Sequence, residues 1–182
     1  MIRDNGSICK ITVDGTDFRI CEPTPFDPKW YSHKFKGPGL RYEVGICIQT
    51  GEIVWVNGPF PCGDYPDLRI AREGLIYALA ATPGIKEMAL ADGGYNDGYE
   101  FFETPTGAND ADQYMKSVAR ARHETINKRL KDYGALGKRF RHSRHLHGKV
   151  FYAVANLTHL AMSTEGVRRE DYGSFQVDYF DK

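Results

Sequence analysis

The chain has 182 residues and a formal net charge of zero, with 24 acidic and 24 basic side chains. Its apolar content of 41% and aromatic content of 13% are ordinary for a globular protein, and we expect a single domain over residues 1–182. No apolar run of membrane-spanning length is present, and the polar first ten residues do not resemble a secretory signal, so we expect neither a membrane protein nor a secreted one.

The cysteines argue for an intracellular protein with reduced thiols. They are far apart in the sequence and form no CxxC pair, which makes a disulfide framework or a zinc site an unfavoured interpretation. The four are Cys9, Cys21, Cys47 and Cys62.

The first third of the chain has the pattern of β-strands. An apolar run predicts a strand over residues 8–14, which either continues through "TDFRI" or pairs back after Gly15. Residues 22–39 are rich in Pro and Gly and predict a loop. A hairpin is predicted next, because "TGE" joins alternating strands over Arg41–Gln49 and Ile53–Asn57.

Helices are predicted in the remainder. "DYPDLRIAREGLIYALAA" has an acidic start, a first-turn proline and apolar periodicity, and it predicts a helix from Asp64. A strand over Lys86–Ala91 follows, then a short strand over Tyr99–Glu103 and two long helices over Gln113–Tyr133 and Arg139–Met162. This order indicates an α/β protein with a ribonuclease-H-like fold, in which a mixed central sheet is flanked by helices. The first strand would be central, with the Lys86–Ala91 strand beside it.

Two aspartates share one local pattern. Asp14 follows the first apolar run and precedes Gly15, while Asp92 ends "MALAD" and precedes two glycines. Each one alone is either an Asx-turn former or a ligand. If the two strands are neighbours, their carboxylates meet at one edge of the sheet.

Glu124 is the third acid of interest. It lies on the polar face of the Gln113–Tyr133 helix, four residues from Arg120 on one side and from Lys128 on the other. An ordinary surface ion pair is the alternative interpretation. Together, Asp14, Asp92 and Glu124 would provide oxygen ligands for two divalent cations, the arrangement that catalyses phosphodiester chemistry. Their mutual repulsion predicts a raised pKa for at least one of them.

Basic residues are concentrated in one segment. Residues 120–149 contain ten Lys or Arg and two acids, a net +8 (10 − 2), so the rest of the chain carries −8. A local polyanion-binding surface is predicted, with a solvated helix face as the alternative. The loop "WYSHKFKG" mixes aromatic and basic residues, which either contact nucleic acid or simply anchor the loop. The candidate DNA-binding residues are Lys34, Lys36, Arg120, Lys128, Lys131, Arg141 and Arg144.

Two other groups have simpler explanations. The histidines of "RHSRHLHGK" do not share one helical face and have no cysteine partner, so a basic, DNA-facing helix start is favoured over a zinc site. Asp64 and Asp67 lie at the predicted helix start and are interpreted as capping residues.

Several motifs together resemble the catalytic domain of Harbinger-type DDE transposases. They are "DGTDFRI", "WYSHKFKGPGLRYEVG", "GPFPCGDYPDLRIAR", "LADGGY" and "RARHETINKRLK", with the "FRH" stretch and the ending Phe175, Val177, Tyr179 and Asp181. The resemblance implies the ribonuclease-H-like fold and a triad of Asp14, Asp92 and Glu124 that binds two Mg²⁺ or Mn²⁺ ions. It also implies cleavage and transfer of DNA strands, with transposon ends and target DNA as partners.

The resemblance has further implications. Members of that family usually carry an N-terminal helix-turn-helix region, which is absent from residues 1–182, and a separate Myb-like DNA-binding protein is a possible partner. A homo-oligomer is expected, located in the nucleus, or in the cytoplasm if not imported.

Two competing hypotheses stay open from the sequence. One is a domesticated or truncated transposase remnant that binds DNA or a protein partner without cleaving. The other is an α/β domain with an unrelated hydrolase activity, which requires the three acids to lie far apart.

Overall fold

The computed structural model describes residues 8–81, 83–84, 86–98, 100–104 and 110–165. The strands are β1 (Ile8–Arg19), β2 (Tyr31–Ser32), β3 (Gly37–Cys47), β4 (Ile53–Pro61), β5 (Glu87–Leu90) and β6 (Phe102–Glu103). The helices are α1 (Asp67–Arg72), α2 (Leu75–Ala80), α3 (Asp110–Asp132), α4 (Gly134–Gly137) and α5 (Arg144–Glu165). The C-terminal motif at Phe175–Asp181 lies outside the described residues.

The sheet is mixed and has β1 near its centre. Its strand order is β2-β3-β1-β5-β6, and β4 also pairs with β3. The β1–β3 and β3–β4 pairs are antiparallel, whereas β1–β5 and β5–β6 are parallel. The predicted α/β class, the hairpin and the central position of β1 beside β5 are therefore confirmed.

β1 is longer than a strand ending at Asp14. It continues to Arg19, because Asp14–Arg19 stays in register with the antiparallel partner residues Val44–Gly39. The alternative in which the chain turns back after Gly15 is therefore wrong. Asp14 lies within a strand and not at a turn.

The helix predicted from Asp64 is also different. The chain stays extended at Pro66, α1 begins at Asp67, and the helix is interrupted at Gly74 before α2 starts. A methyl group on Gly74 would lie 2.6 Å from the side-chain nitrogen of Asn57. The close approach of β4 therefore explains why a glycine is needed where the helix breaks.

Alternation along β1 separates two apolar layers. Phe18 packs with residues of α3, α4 and α5 on one face, while Val13 packs with residues of α1 and α2 on the other. Because successive strand residues alternate between the two faces, Asp14 lies on the face of Phe18. Gly15 and Asp17 lie on the face of Val13. The side of β1 on which each functional residue lies is thus fixed by the core.

Two polar contacts hold α3 against the sheet. The buried His123 Nε2 is 2.6 Å from Thr12 Oγ1, and Arg122 donates a hydrogen bond to the carbonyl of Ile48. No helix within the described ranges has the length and apolarity needed to cross a membrane.

A buried histidine lies in the aromatic core under α5. The hydroxyl of Tyr42 is 2.7 Å from Nδ1 of His147, and Phe151 stacks on Tyr42 with ring centroids 3.7 Å apart. Burial lowers the pKa of His147 to about 4, so the folded protein holds this ring neutral.

An unfolded histidine has a pKa near 6.5, whereas folded His147 has a pKa of about 4. Between these two pH values the unfolded chain binds a proton at this position and the folded chain does not. Stability is therefore lost as the pH falls from about 6.5 to about 4. We expect His147 to contribute about 2 kcal/mol to the drop in unfolding free energy between pH 7 and pH 5.

Urea unfolding of His147→Asn should show this pH dependence reduced by that amount. The exposed His145→Asn serves as the control and should keep the slope of the unaltered protein. An identical pH slope in His147→Asn and the unaltered chain would contradict the assignment.

Candidate active site

Asp14 lies on β1, and Asp92 lies two residues after the end of the neighbouring parallel strand β5. The β1–β5 register pairs Thr12 with Leu90, two residues before each aspartate. β5 ends at Leu90, and Asp92 caps a short 3-10 turn in which its Oδ1 accepts a hydrogen bond of 2.8 Å from the Gly94 amide. Beyond Thr12, this edge of β1 is therefore open, and Asp14 and Asp92 flank the opening.

A third carboxylate, Asp67, approaches from the α1 side. A methyl group on Gly15 would lie 2.0 Å from Asp67 Oδ1, and one on Gly94 would lie 3.1 Å from Asp67 Oδ2. Asp67 thus lies over the residue after Asp14 and close to the 3-10 turn that follows Asp92. The capping interpretation of Asp67 is wrong, because the N-cap of α1 is Pro66 and no side chain caps that helix.

Arg41 holds Asp67 in place. Its Nε is 2.7 Å from Asp17 Oδ1 and its Nη1 is 3.3 Å from Asp67 Oδ1. Ser32 also donates a hydrogen bond of 2.5 Å to Asp17. Burial alone would raise the pKa of Asp17, but these bonds outweigh it and the pKa is lowered. Asp17 is therefore a charged anchor for Arg41.

The pKa of Asp14 is raised. Burial is the largest cause, and the charges of Asp92 and Asp67 add to it, whereas Lys34 acts in the opposite direction. The pKa of Asp67 is also raised, by burial first and by Asp92, against Arg41 and Lys34. Of the three predicted acids, Asp14 thus has a raised pKa, but burial and not mutual repulsion is its largest cause.

Glu43 lies behind this cluster on the α1 face. Its Oε2 accepts a hydrogen bond of 2.7 Å from Trp55 Nε1, and burial raises the pKa of Glu43 to about 7. The hydroxyl of Tyr95 also acts on Glu43 and lowers its pKa against the effect of burial, and both side chains are fully buried. The site therefore has a second, largely enclosed layer of polar groups.

Glu124 is exposed on α3, and its position relative to the two aspartates follows from its neighbours. His123 touches Thr12, two residues before Asp14, while Asn127 and Lys131 line the same cavity as Asp14. Residues at i, i+3 and i+7 share a helix face, which places Glu124 on the face of Asn127 and Lys131. Its role as the third ligand stays a prediction.

The carboxylates of Asp14, Asp67 and Asp92 are the kind of oxygen ligand that a hard divalent cation prefers. They provide oxygen donors from separate elements, and Oδ1 of Asp67 is buried without a hydrogen bond, 3.3 Å from Arg41. In the part of the chain that is described, however, no three His, Cys, Asp or Glu side chains are arranged to hold an ion.

The candidate DNA-binding residues are dispersed. Lys34 donates a hydrogen bond of 2.6 Å to the Gly15 carbonyl, and Lys131 lines the cavity beside Asp14. The Arg144 guanidinium lies 4.4 Å from the centre of the Trp30 ring. Lys36, Lys128 and Arg141 are exposed, and the Arg120 side chain lies outside the described part.

The sequence offered little signal for Asp67. It is 53 residues after Asp14 (67 − 14), at the start of a short helix, a position where aspartate commonly has a local role. Its contacts with Gly15 and Gly94 arise from the packing of α1 against the sheet. A local sequence pattern does not predict such packing.

We expect Gly15→Ala to destabilise the protein by about 1–3 kcal/mol, because its methyl group would overlap Asp67 while Arg41 holds that side chain. The unfolding free energies of Gly15→Ala, Asp67→Ala and the double variant measure the coupling. The cost of Gly15→Ala should largely vanish once Asp67 is alanine.

Gly93→Ala is the matched control, since a methyl group there meets nothing within 4 Å. If the effects of Gly15→Ala and Asp67→Ala simply add, Asp67 does not lie against Gly15.

Comparison with known proteins identifies the family of this chain. A family model described as "DDE superfamily endonuclease" matches residues 13–159, most of the chain. Searches of curated proteins and of solved structures gave no match. The matched region includes Asp14, Asp67, Asp92 and Glu124. This chain belongs to the DDE superfamily of endonucleases.

Proposed function

We propose that this chain is the catalytic domain of a transposase that cleaves and transfers DNA strands with divalent cations. The observation that carries the proposal is that Asp14 and Asp92 each come two residues after the last paired residues of the neighbouring parallel strands β1 and β5, in a member of an endonuclease family. The strand order around β1 supports a ribonuclease-H-like fold as part of the same proposal.

Asp14 and Asp92 are the proposed metal ligands, and Mg²⁺ or Mn²⁺ the proposed ions. When bound, two such ions would polarise the scissile phosphate and stabilise the attacking and leaving oxygens. The residues of the chain prepare this site. Asp14 and Asp92 supply anionic oxygens at an open strand edge, and the Arg41–Asp17 pair restrains Asp67 beside them.

Glu124 is the proposed third ligand. The contacts of His123 and Arg122 with the sheet fix the height of this helix turn relative to β1. A one-residue shift of α3 would turn Glu124 away by about 100°. His123 and Arg122 are therefore proposed as positioning residues for Glu124.

DNA is the proposed substrate, and the +8 segment over residues 120–149 is proposed to contact its phosphates. Lys34 and Lys131 would act nearest to Asp14. The Harbinger subtype, a Myb-like partner, a homo-oligomer and a nuclear location are proposed on the motifs described above.

We expect Asp92→Asn to reduce Mn²⁺-dependent nicking of supercoiled plasmid by on the order of 100-fold or more, because it removes a charged metal ligand. Asp64→Asn is the matched control: Asp64 is an exposed turn residue after β4, and the variant should nick normally. Equal nicking by Asp92→Asn and the unaltered chain would rule out the proposed site.

Salt-dependent DNA binding by the unaltered chain with no metal-dependent nicking would instead support the non-cleaving remnant.

Glu124→Gln distinguishes a third ligand from a surface acid. We expect it to weaken Mn²⁺ binding measured by isothermal titration and to reduce nicking on the order of 100-fold. The exposed Glu22→Gln is the control for loss of one negative charge. A normal Mn²⁺ affinity in Glu124→Gln would rule out Glu124 as the third ligand. Asp67 would then be the candidate acid beside Asp14 and Asp92.

A further inference from the structure

A cavity of about 440 Å³ lies along the β1 segment Asp14–Arg19, at the strand edge that β5 leaves open. Residues from both faces of the sheet line it: Lys34 and Phe35 of the β2–β3 loop, Asn127 and Lys131 of α3, and Leu136 and Gly137 of α4. Six strand residues extend for roughly 17 Å. The cavity is thus a short channel that runs from the proposed metal ligands away along the strand.

Cations line this channel. Lys34 reaches over β1 to the Gly15 carbonyl at 2.6 Å, and Lys131 Nζ lies 5.4 Å from the centre of the buried Phe18 ring. Arg19 also lines the channel. The neighbouring Asp17 is neutralised by its ion pair with Arg41. Away from Asp14, the channel therefore presents positive charge suited to a phosphate.

An aromatic platform lies beside these cations. The Arg19 guanidinium stacks over the Phe35 ring at 4.7 Å from its centre, and both residues line the channel. A flat ring and a flat guanidinium are the surfaces on which unpaired bases stack.

The β2–β3 loop that carries Lys34 and Phe35 is rigidly built. Only four residues connect the strands, and Lys36 has a φ of 52°, a left-handed conformation that non-glycine residues seldom adopt. The Phe35 ring packs so closely on Gly39 that a methyl group there would lie 2.5 Å from it. The platform is therefore held in position before any ligand binds.

We propose that this channel binds one unpaired nucleotide of the DNA strand next to the scissile phosphate, with its phosphate on Lys34 and Lys131 and its base on the Arg19–Phe35 platform. The inference rests on the proposed action on DNA. A base in a duplex cannot use the platform, because its faces are covered by its stacked neighbours. The site therefore selects a single-stranded or opened strand.

Binding of a fluorescein-labelled oligothymidylate of about ten nucleotides, followed by anisotropy in EDTA, tests the subsite without cleavage. We expect Phe35→Leu to weaken binding by roughly tenfold, because leucine fills the space on Gly39 but offers no ring for stacking. Phe35→Tyr should restore binding. Phe26→Ala, which removes an exposed loop phenylalanine, should bind normally.

The charge contribution has its own control. Lys131→Gln should reduce the slope of log affinity against log salt by about 0.7, the value for one lost single-strand phosphate contact. The exposed Lys86→Gln, immediately before β5 and outside the basic segment, should leave the slope unchanged. A blunt duplex of the same sequence should show little response to Phe35→Leu.

The outcomes separate this subsite from the proposed cleavage. Phe35→Leu that weakens oligothymidylate binding supports the subsite even if the unaltered chain nicks no DNA. If Phe35→Leu and Lys131→Gln are folded and bind the oligonucleotide like the unaltered chain, the subsite is disproved, whatever the nicking assay shows.

Discussion

The point at which β5 stops pairing with β1 determines the rest of the site. Pairing ends at Thr12 and Leu90, so the residues that follow them begin at the same level along the sheet. Asp14 and Asp92 then flank an open strand edge, where side chains from both faces of the sheet approach each other. Asp67 comes from the α1 face, and α3 brings Asn127 and Lys131 from the other. A longer β5 would fill this opening.

Gathering acids at such an edge has an electrostatic cost, which neighbouring cations offset. Arg41 is fixed by Asp17 and contacts Asp67, while Lys34 lowers the pKa of Asp14 against the effects of burial and of the other carboxylates. The balance still leaves the pKa of Asp14 and Asp67 raised. Under the proposed function, a bound divalent cation would neutralise this negative charge.

Periodicity revealed the hairpin, the central strand and the parallel partner carrying Asp92, because these depend on local alternation and element order. It could not place Asp67, whose contacts are made only when α1 packs over Gly15. Nor could it decide whether β1 continued past Gly15, because that depends on pairing with distant β3 residues. Glu124 was predicted from its sequence context, and its role as a ligand stays a prediction, because its side chain is exposed on α3.

The central claim is that Asp14 and Asp92 share a metal ion. Anomalous diffraction from crystals soaked in Mn²⁺ measures this directly. We expect an anomalous peak at about 2.0–2.2 Å from a carboxylate oxygen of both residues, the distance typical of a small hard cation. An anomalous peak bound by neither Asp14 nor Asp92, in crystals where both side chains are ordered, would contradict the claim.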